Sequence, residues 1–209
     1  MAEVEERTRN HWWWRPGWRQ GRSFYTWHFL VGEQAALREF ATRLRPHLEE
    51  TAVLDPIPFE WLHMTLQGVG FTDEVNDEDL AAIGAAVAER MAELRPTPIE
   101  LGPVVVDAEG VHLPVRPAEA VAAVRRGIRE SIAKIWGKDR VPEAEEPFYP
   151  HVSLAYANTS GAPLTPIHET LDRYAEIISV ALTRVSLIDL NRDEGMYRWK
   201  VVMTPLLGG

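Results

Sequence analysis

The sequence contains no cysteine. That absence excludes a disulfide framework, a thiolate nucleophile and sulfur-ligated zinc or iron–sulfur centres, and it fits a reducing compartment. Long apolar runs are missing too. The longest small-apolar stretch, residues 80–88, falls far short of the about 20 residues that span a bilayer. The first residues include Glu3, Glu5 and Glu6 instead of a basic stretch and an apolar run, so no secretory leader is predicted. These absences predict a cytoplasmic protein with no membrane partner.

Positive charge is scarce: 22 Lys and Arg stand against 31 Asp and Glu, a net charge of −9. What there is of it is uneven. Arg7, Arg9, Arg15, Arg19 and Arg22 fall within residues 7–22, which hold no acid, leaving 17 basic residues against all 31 acidic ones elsewhere. Such a chain is poorly suited to long duplex nucleic acid, where phosphate neutralisation supplies most of the affinity. One local basic segment can still hold a few phosphates. The same segment carries Trp12, Trp13, Trp14 and Trp18, half of the eight tryptophans, and is broken by Pro16, Gly17 and Gly21. An irregular arm over residues 1–23 is predicted. Most of its tryptophans should pack on the body, with one or more arginines facing a cleft.

The remaining chain, residues 24–209, has the make-up of an ordinary globular protein, 45% hydrophobic and 25% charged. Hydrophobic periodicity predicts strands over 24–31, 61–71 and 99–107. Helices are predicted over 33–44, closed by Pro46, and over 77–94, while Pro56 and Pro58 mark a loop. The pattern then restarts, with strands over 111–115, 148–156 and 180–190 and helices over 117–136 and 166–175. A final strand lies within 196–204. The order β-α-β-α-β thus occurs twice, in units of about 24–107 and 110–191. His63 and His151 lie 88 residues apart and Gly110 and Gly195, each preceded by Glu, 85 apart. A shared offset among unlike landmarks points to an internal duplication. Each unit is expected to form a small α+β lobe, with one antiparallel sheet and two helices on one face.

The middle strands of the units read Leu62-His63-Met64-Thr65-Leu66 and Pro150-His151-Val152-Ser153-Leu154. Side chains alternate along a strand, so His63 and Thr65 share one face while Met64 and Leu66 take the other. The same holds for His151 and Ser153. Opposed lobes would bring two imidazoles and two hydroxyls into one cleft. One imidazole can accept a proton while the other donates, and neutral hydroxyls can bind phosphate oxygens. Finding the pattern twice by coincidence has odds of roughly one in a hundred.

These residues resemble the paired His-x-Thr/Ser-x motifs of the 2H phosphoesterases. The run Phe148-Tyr149-Pro150-His151-Val152-Ser153-Leu154-Ala155 is especially similar to the second motif of the bacterial 2′-5′ RNA ligase and cyclic phosphodiesterase branch. The resemblance implies a bilobal α+β fold of two pseudo-symmetric units whose antiparallel sheets face a central cleft. His63 and His151 would be acid and base, and Thr65 and Ser153 would hold the phosphate. The implied activity is metal-independent cleavage of 2′,3′-cyclic phosphates or 2′-5′ linkages, in RNA ends or small nucleotides, without a cofactor. A nucleotide- or RNA-end-binding module with little turnover is the alternative. A monomer is expected. The Trp/Arg arm is not part of the family's minimal pattern.

Weaker candidates surround the motifs. His28 shares a face with Thr26 on the first strand and would add a third imidazole; a structural histidine is the blander reading. Trp61 and Tyr149 share a face with His63 and His151 by parity and could stack on a base. Tyr156 should lie on the opposite face unless its strand bends. Arg15, Arg19 and Arg22 are candidates for phosphate binding. Arg198 and Lys200 read as a solvated face, and Glu143, Glu145 and Glu146 as a solvated loop. His11, His47, His112 and His168 show no metal spacing and no partner motif, and no metal site is predicted.

Overall fold

The computed structural model describes residues 7–143 and 147–208; Glu145 and Glu146 of the acidic run lie outside them. The elements are β1 (Phe24–Leu30), α1 (Ala35–Glu50), β2 (Leu54–Pro56), β3 (His63–Phe71), α2 (Asp77–Ala92), β4 (Thr97–Leu101), β5 (Val105–Asp107) and β6 (Gly110–Arg116). They continue with α3 (Ala118–Trp136), β7 (His151–Ala157), α4 (Thr165–Leu171), β8 (Ile178–Leu182), β9 (Ser186–Asn191) and β10 (Arg198–Met203). All the strand pairings are antiparallel, and the class is α+β.

The sheets do not follow the halves of the sequence. One sheet runs β10-β9-β1-β3; the other runs β2-β7-β6-β4-β8, with β5 beside β6. Each sheet therefore takes strands from both units, in place of the expected one sheet per unit. The helices are exchanged as well. Helix α1 packs against β2 and β8 of the second sheet, while α3 packs against α2 and β3, behind the first. A Cβ on Gly84 of α2 would lie 2.5 Å from Met203 Sδ, so this helix sits hard against β10. The exchange has a physical reason: the apolar faces that must be covered belong to strands brought together by pairing, not by sequence order.

Local sequence explains most element bounds. Asn76 caps α2 by accepting from the Asp79 N–H at 2.8 Å, and three acids fill the first turn, favourable at the positive end of the helix. Helix α1 runs through Pro46 instead of stopping there. Leu48 continues the stripe of Leu37, Phe40 and Leu44 and is fully buried with them, which outweighs one lost backbone bond. The predicted strand over 99–107 is two strands separated at Gly102 and Pro103, and that over 180–190 is two strands as well. Short β2, within the expected proline loop, pairs with β7.

Two bulges shape the centre. On β3, Leu66 has no partner between Trp27↔Gln67 and His28↔Thr65. On β7, Leu154 has none between Val111↔Ala155 and His112↔Ser153. Each bulge thus follows the hydroxyl of a motif, and each bulged leucine is buried. A bulge re-aims the side chains beyond it.

Candidate active site

The motif strands β3 and β7 line one cleft of about 430 Å³, a size that suits a small ligand. His63, Thr65, His151 and Ser153 all face it, as alternation requires, together with His28. Met64, Leu66, Val152 and Leu154 are buried in the core behind.

The two histidines are held alike. His63 Nδ1 donates to the Trp61 carbonyl at 2.8 Å, and His151 Nδ1 donates to the Tyr149 carbonyl at 2.9 Å. With the proton fixed on Nδ1, Nε2 of each ring is left for chemistry. Trp61 and Tyr149 thus serve through their backbones. Neither side chain lines the cleft: the Trp61 ring packs edge-on against Trp199 at 4.8 Å, and Tyr149 is 77% exposed.

Each motif has a second imidazole beside it, on the neighbouring strand and opposite the hydroxyl residue. His28 of β1 pairs with Thr65, and His112 of β6 pairs with Ser153. His28 stacks on His63 with centroids 4.7 Å apart and planes 8° apart; His112 sits 5.0 Å from His151. The surroundings differ. His28 is 1% exposed and its Nδ1 has no protein partner. His112 Nδ1 lies 3.3 Å from Asp107 Oδ2, while Oδ1 of that carboxylate accepts the N–H groups of Glu109 and Gly110.

The proton affinities follow. Burial pushes His63 down to about 4, with smaller contributions from His151 and His11, against the opposing pull of the Trp61 carbonyl. Burial likewise holds His28 well below the ordinary histidine value. His151 stands at the exposed rim and is lowered as well, chiefly by desolvation between the cleft walls and further by His112 and His11, while the Tyr149 carbonyl and, less strongly than His112, Asp107 pull it back up. Burial works against the Asp107 carboxylate, but His112 and the two amides outweigh it and keep it ionised.

The arm closes one end of this cleft. Its backbone is fixed by Thr8 N–H to Ala162 O, Arg9 N–H to Ala108 O and His11 N–H to Ala157 O, at 2.7–2.8 Å. His11 and Arg15 line the cleft; Arg19 and Arg22 do not. Arg22 is 8% exposed, held by Asp73 and Glu74 and stacked over Phe71, and Arg19 also pairs with Asp73. Their charges are spent on the loop after β3. Of the four arm tryptophans, Trp12 and Trp18 pack on the body, whereas Trp13 and Trp14 are about half exposed, fewer anchored than expected.

Sequence reading passed over His11, His112, Glu109, Arg192 and Tyr197. His11 Nδ1 bonds Glu109 at 3.1 Å, its Nε2 bonds the Tyr197 hydroxyl at 3.1 Å, and its ring stacks on Tyr156 at 4.1 Å. Tyr156 reaches the cleft because the Leu154 bulge bends β7. One signal could have found His112: His28 and His112 lie 84 residues apart, close to the 88 of the motif histidines. Arg198 pairs with Glu194 away from the cleft. Among the described residues no group of three His, Asp or Glu is arranged to hold a metal ion, and no helix is long and apolar enough to cross a membrane.

A two-sheet α+β fold with a duplicated His-x-hydroxyl cleft defines a 2H-type architecture. The chain belongs to the 2′-5′ RNA ligase superfamily, whose family model matches residues 33–194. It is similar to an RNA 2′,3′-cyclic phosphodiesterase of Thermus thermophilus, 29% identical over 151 residues that cover 70% of this chain and 73% of the relative. Among solved structures, the TT0787 protein of the same organism aligns over 90% of this chain and 98% of its own, at 24% identity and TM-score 0.62. Escherichia coli LigT complexed with 3′-AMP aligns over 90% and 99%, at 18% identity and TM-score 0.66. These structures share the fold.

Proposed function

We propose that the protein is a metal-independent phosphoesterase acting on 2′,3′-cyclic phosphates, or on 2′-5′ phosphodiester linkages, at RNA ends or in small nucleotides. The observation that carries this reading is the paired geometry. Two imidazoles with matched tautomers, each followed two residues on by a hydroxyl, face one cleft. Family membership and the name of the Thermus relative point to the same chemistry.

In hydrolysis of a cyclic phosphate, one imidazole takes a proton from water and the other protonates the departing ribose oxygen on the far side of phosphorus. Thr65 and Ser153 donate to the non-bridging oxygens, where charge accumulates. The unlike surroundings support a division of the roles. His63, buried beside His28 with no carboxylate, stays neutral and is the base. His151, at the rim and lowered less than His63, is the group more readily protonated and takes the part of the acid. Run backwards, with a ribose hydroxyl attacking, the same groups would form a 2′-5′ linkage.

The test is turnover of a 2′,3′-cyclic mononucleotide in excess EDTA. Undiminished hydrolysis is expected. Activity lost to EDTA and restored by a divalent ion would overturn the metal-independent mechanism. Tight binding without turnover would favour a binding module on the same fold.

A further inference from the structure

We propose that the N-terminal arm and Arg192 build a second anion subsite in the cleft, which takes a phosphate on the 5′ oxygen of the nucleotide whose 2′,3′ phosphate is being opened. This rests on the phosphoesterase reading above and adds a substrate class to it.

Three observations carry it. First, Arg192 is 3% exposed, lines the cleft, and has no carboxylate within ion-pair distance among the described residues. Its Nη2 donates to the His11 and Trp13 carbonyls at 3.1 and 3.2 Å, and its carbon lies over the rings of Trp12, Trp18 and Tyr197 at 5.6–5.7 Å. Its Nη1 remains buried with no protein partner. A buried guanidinium with an unused donor is costly unless an anion completes it. Second, Arg15 enters the same cleft from the arm, again with a buried unpartnered nitrogen, Nε. Its one carboxylate, Glu109, is shared with Arg9 at 3.0 Å and with His11 at 3.1 Å. One negative charge thus faces several donors, and the cluster keeps an excess of positive charge. Third, the subsite borders the motif residues. The Tyr197 ring lies 5.8 Å from the His63 imidazole and 5.6 Å from the Arg192 guanidinium carbon, and all three line the same cleft, so one nucleotide can meet both the motif and the arginines. Of the subsite's residues, Arg15 of the arm lies outside the residues matched by the family model, 33–194, and Arg192 lies inside them.

A 5′ phosphorus group has two sources: the 5′-phosphate of a mononucleotide, or the phosphodiester joining the last nucleotide of an RNA to the one before. Steady-state kinetics should use adenosine 2′,3′-cyclic phosphate, its 5′-phosphorylated form, and ApA ending in a cyclic phosphate. Charge-assisted bonds from one arginine predict a KM about tenfold to a hundredfold lower for the substrates with a 5′ phosphorus. If the 5′-phosphate alone gains, the site serves mononucleotides; if both gain, it serves RNA ends too. Arg15→Gln, at a half-exposed position the fold tolerates, should collapse that KM ratio toward one and flatten its salt dependence. Arg19→Gln, whose charge is engaged with Asp73, should keep the ratio. Equal KM values for all three substrates in the wild type, or a ratio that survives Arg15→Gln, would overturn the subsite alone. No turnover of any of the three would instead overturn the phosphoesterase reading.

Discussion

The half-site around His63 and the half-site around His151 share a motif, a tautomer-fixing carbonyl, a bulge and a neighbouring imidazole, yet they differ in solvation and in charge. His63 is 8% exposed and stacked on a histidine that pairs with no carboxylate among the described residues; His151 stands at the rim beside a histidine that has one. A duplicated pair of imidazoles divides acid and base roles most fully when the copies differ in proton affinity. Here the two differ chiefly in burial, with His112 and Asp107 acting in opposite senses on His151.

The comparison breaks most severely if either ring is removed. His63→Ala and His151→Ala are each expected to lower kcat by about 10²–10⁴ on a cyclic nucleotide while circular dichroism stays native. They should separate on an aryl ester of a 2′-deoxynucleoside 3′-phosphate, where water must attack and the leaving group needs no proton. There His151→Ala should recover to within about tenfold of wild type, and His63→Ala should stay low. Recovery of the His63 variant instead would exchange the two roles.

A second effect appears in stability. The folded value of about 4 for His63 lies below the ordinary 6.5, so the unfolded chain binds the proton more readily. The stability tied to its neutral form is present above pH 6.5, is lost as pH falls, and levels off near pH 4, a loss of about 3 kcal/mol. Urea unfolding of wild type and His63→Gln at pH 7.5 and pH 4 measures it. The wild type should lose about 3 kcal/mol more than the variant on acidification; equal losses would mean that His63 is not held neutral.

The smallest effect sharpens the asymmetry. Asp107→Asn removes the one carboxylate raising His151, so the alkaline limb of kcat/KM should move to lower pH while the acid limb, set by His63, stays in place. Movement of both limbs, or of neither, would detach Asp107 from the acid.

What could be read from the sequence was whatever depends on local periodicity. Alternation along a strand placed His63 with Thr65 and His151 with Ser153, and on the strand over 24–31 it placed His28 with Thr26 without deciding whether that face looks into the cleft. What could not be read depends on partners far away in the chain. Arg15, Arg19 and Arg22 look alike in sequence; Asp73 and Glu74, some fifty residues on, remove two of them from the cleft. His112 has no motif of its own and reaches His151 only through the β6–β7 pairing. Pro46 read as a stop because the burial of Leu48 is a tertiary fact.

The exchange of strands between the sheets has a further consequence for how this molecule is made. Phe24 at the start of β1 pairs with Leu190 of β9, and β9 in turn with β10, so the sheet bearing the first motif closes only when nearly the whole chain is available. Contacts of such long sequence separation slow folding and delay it until synthesis is almost complete. The two halves therefore cannot act as independent proteins that happen to be fused. A ribosome that has released residues 1–110 has made one complete motif and no complete sheet to hold it.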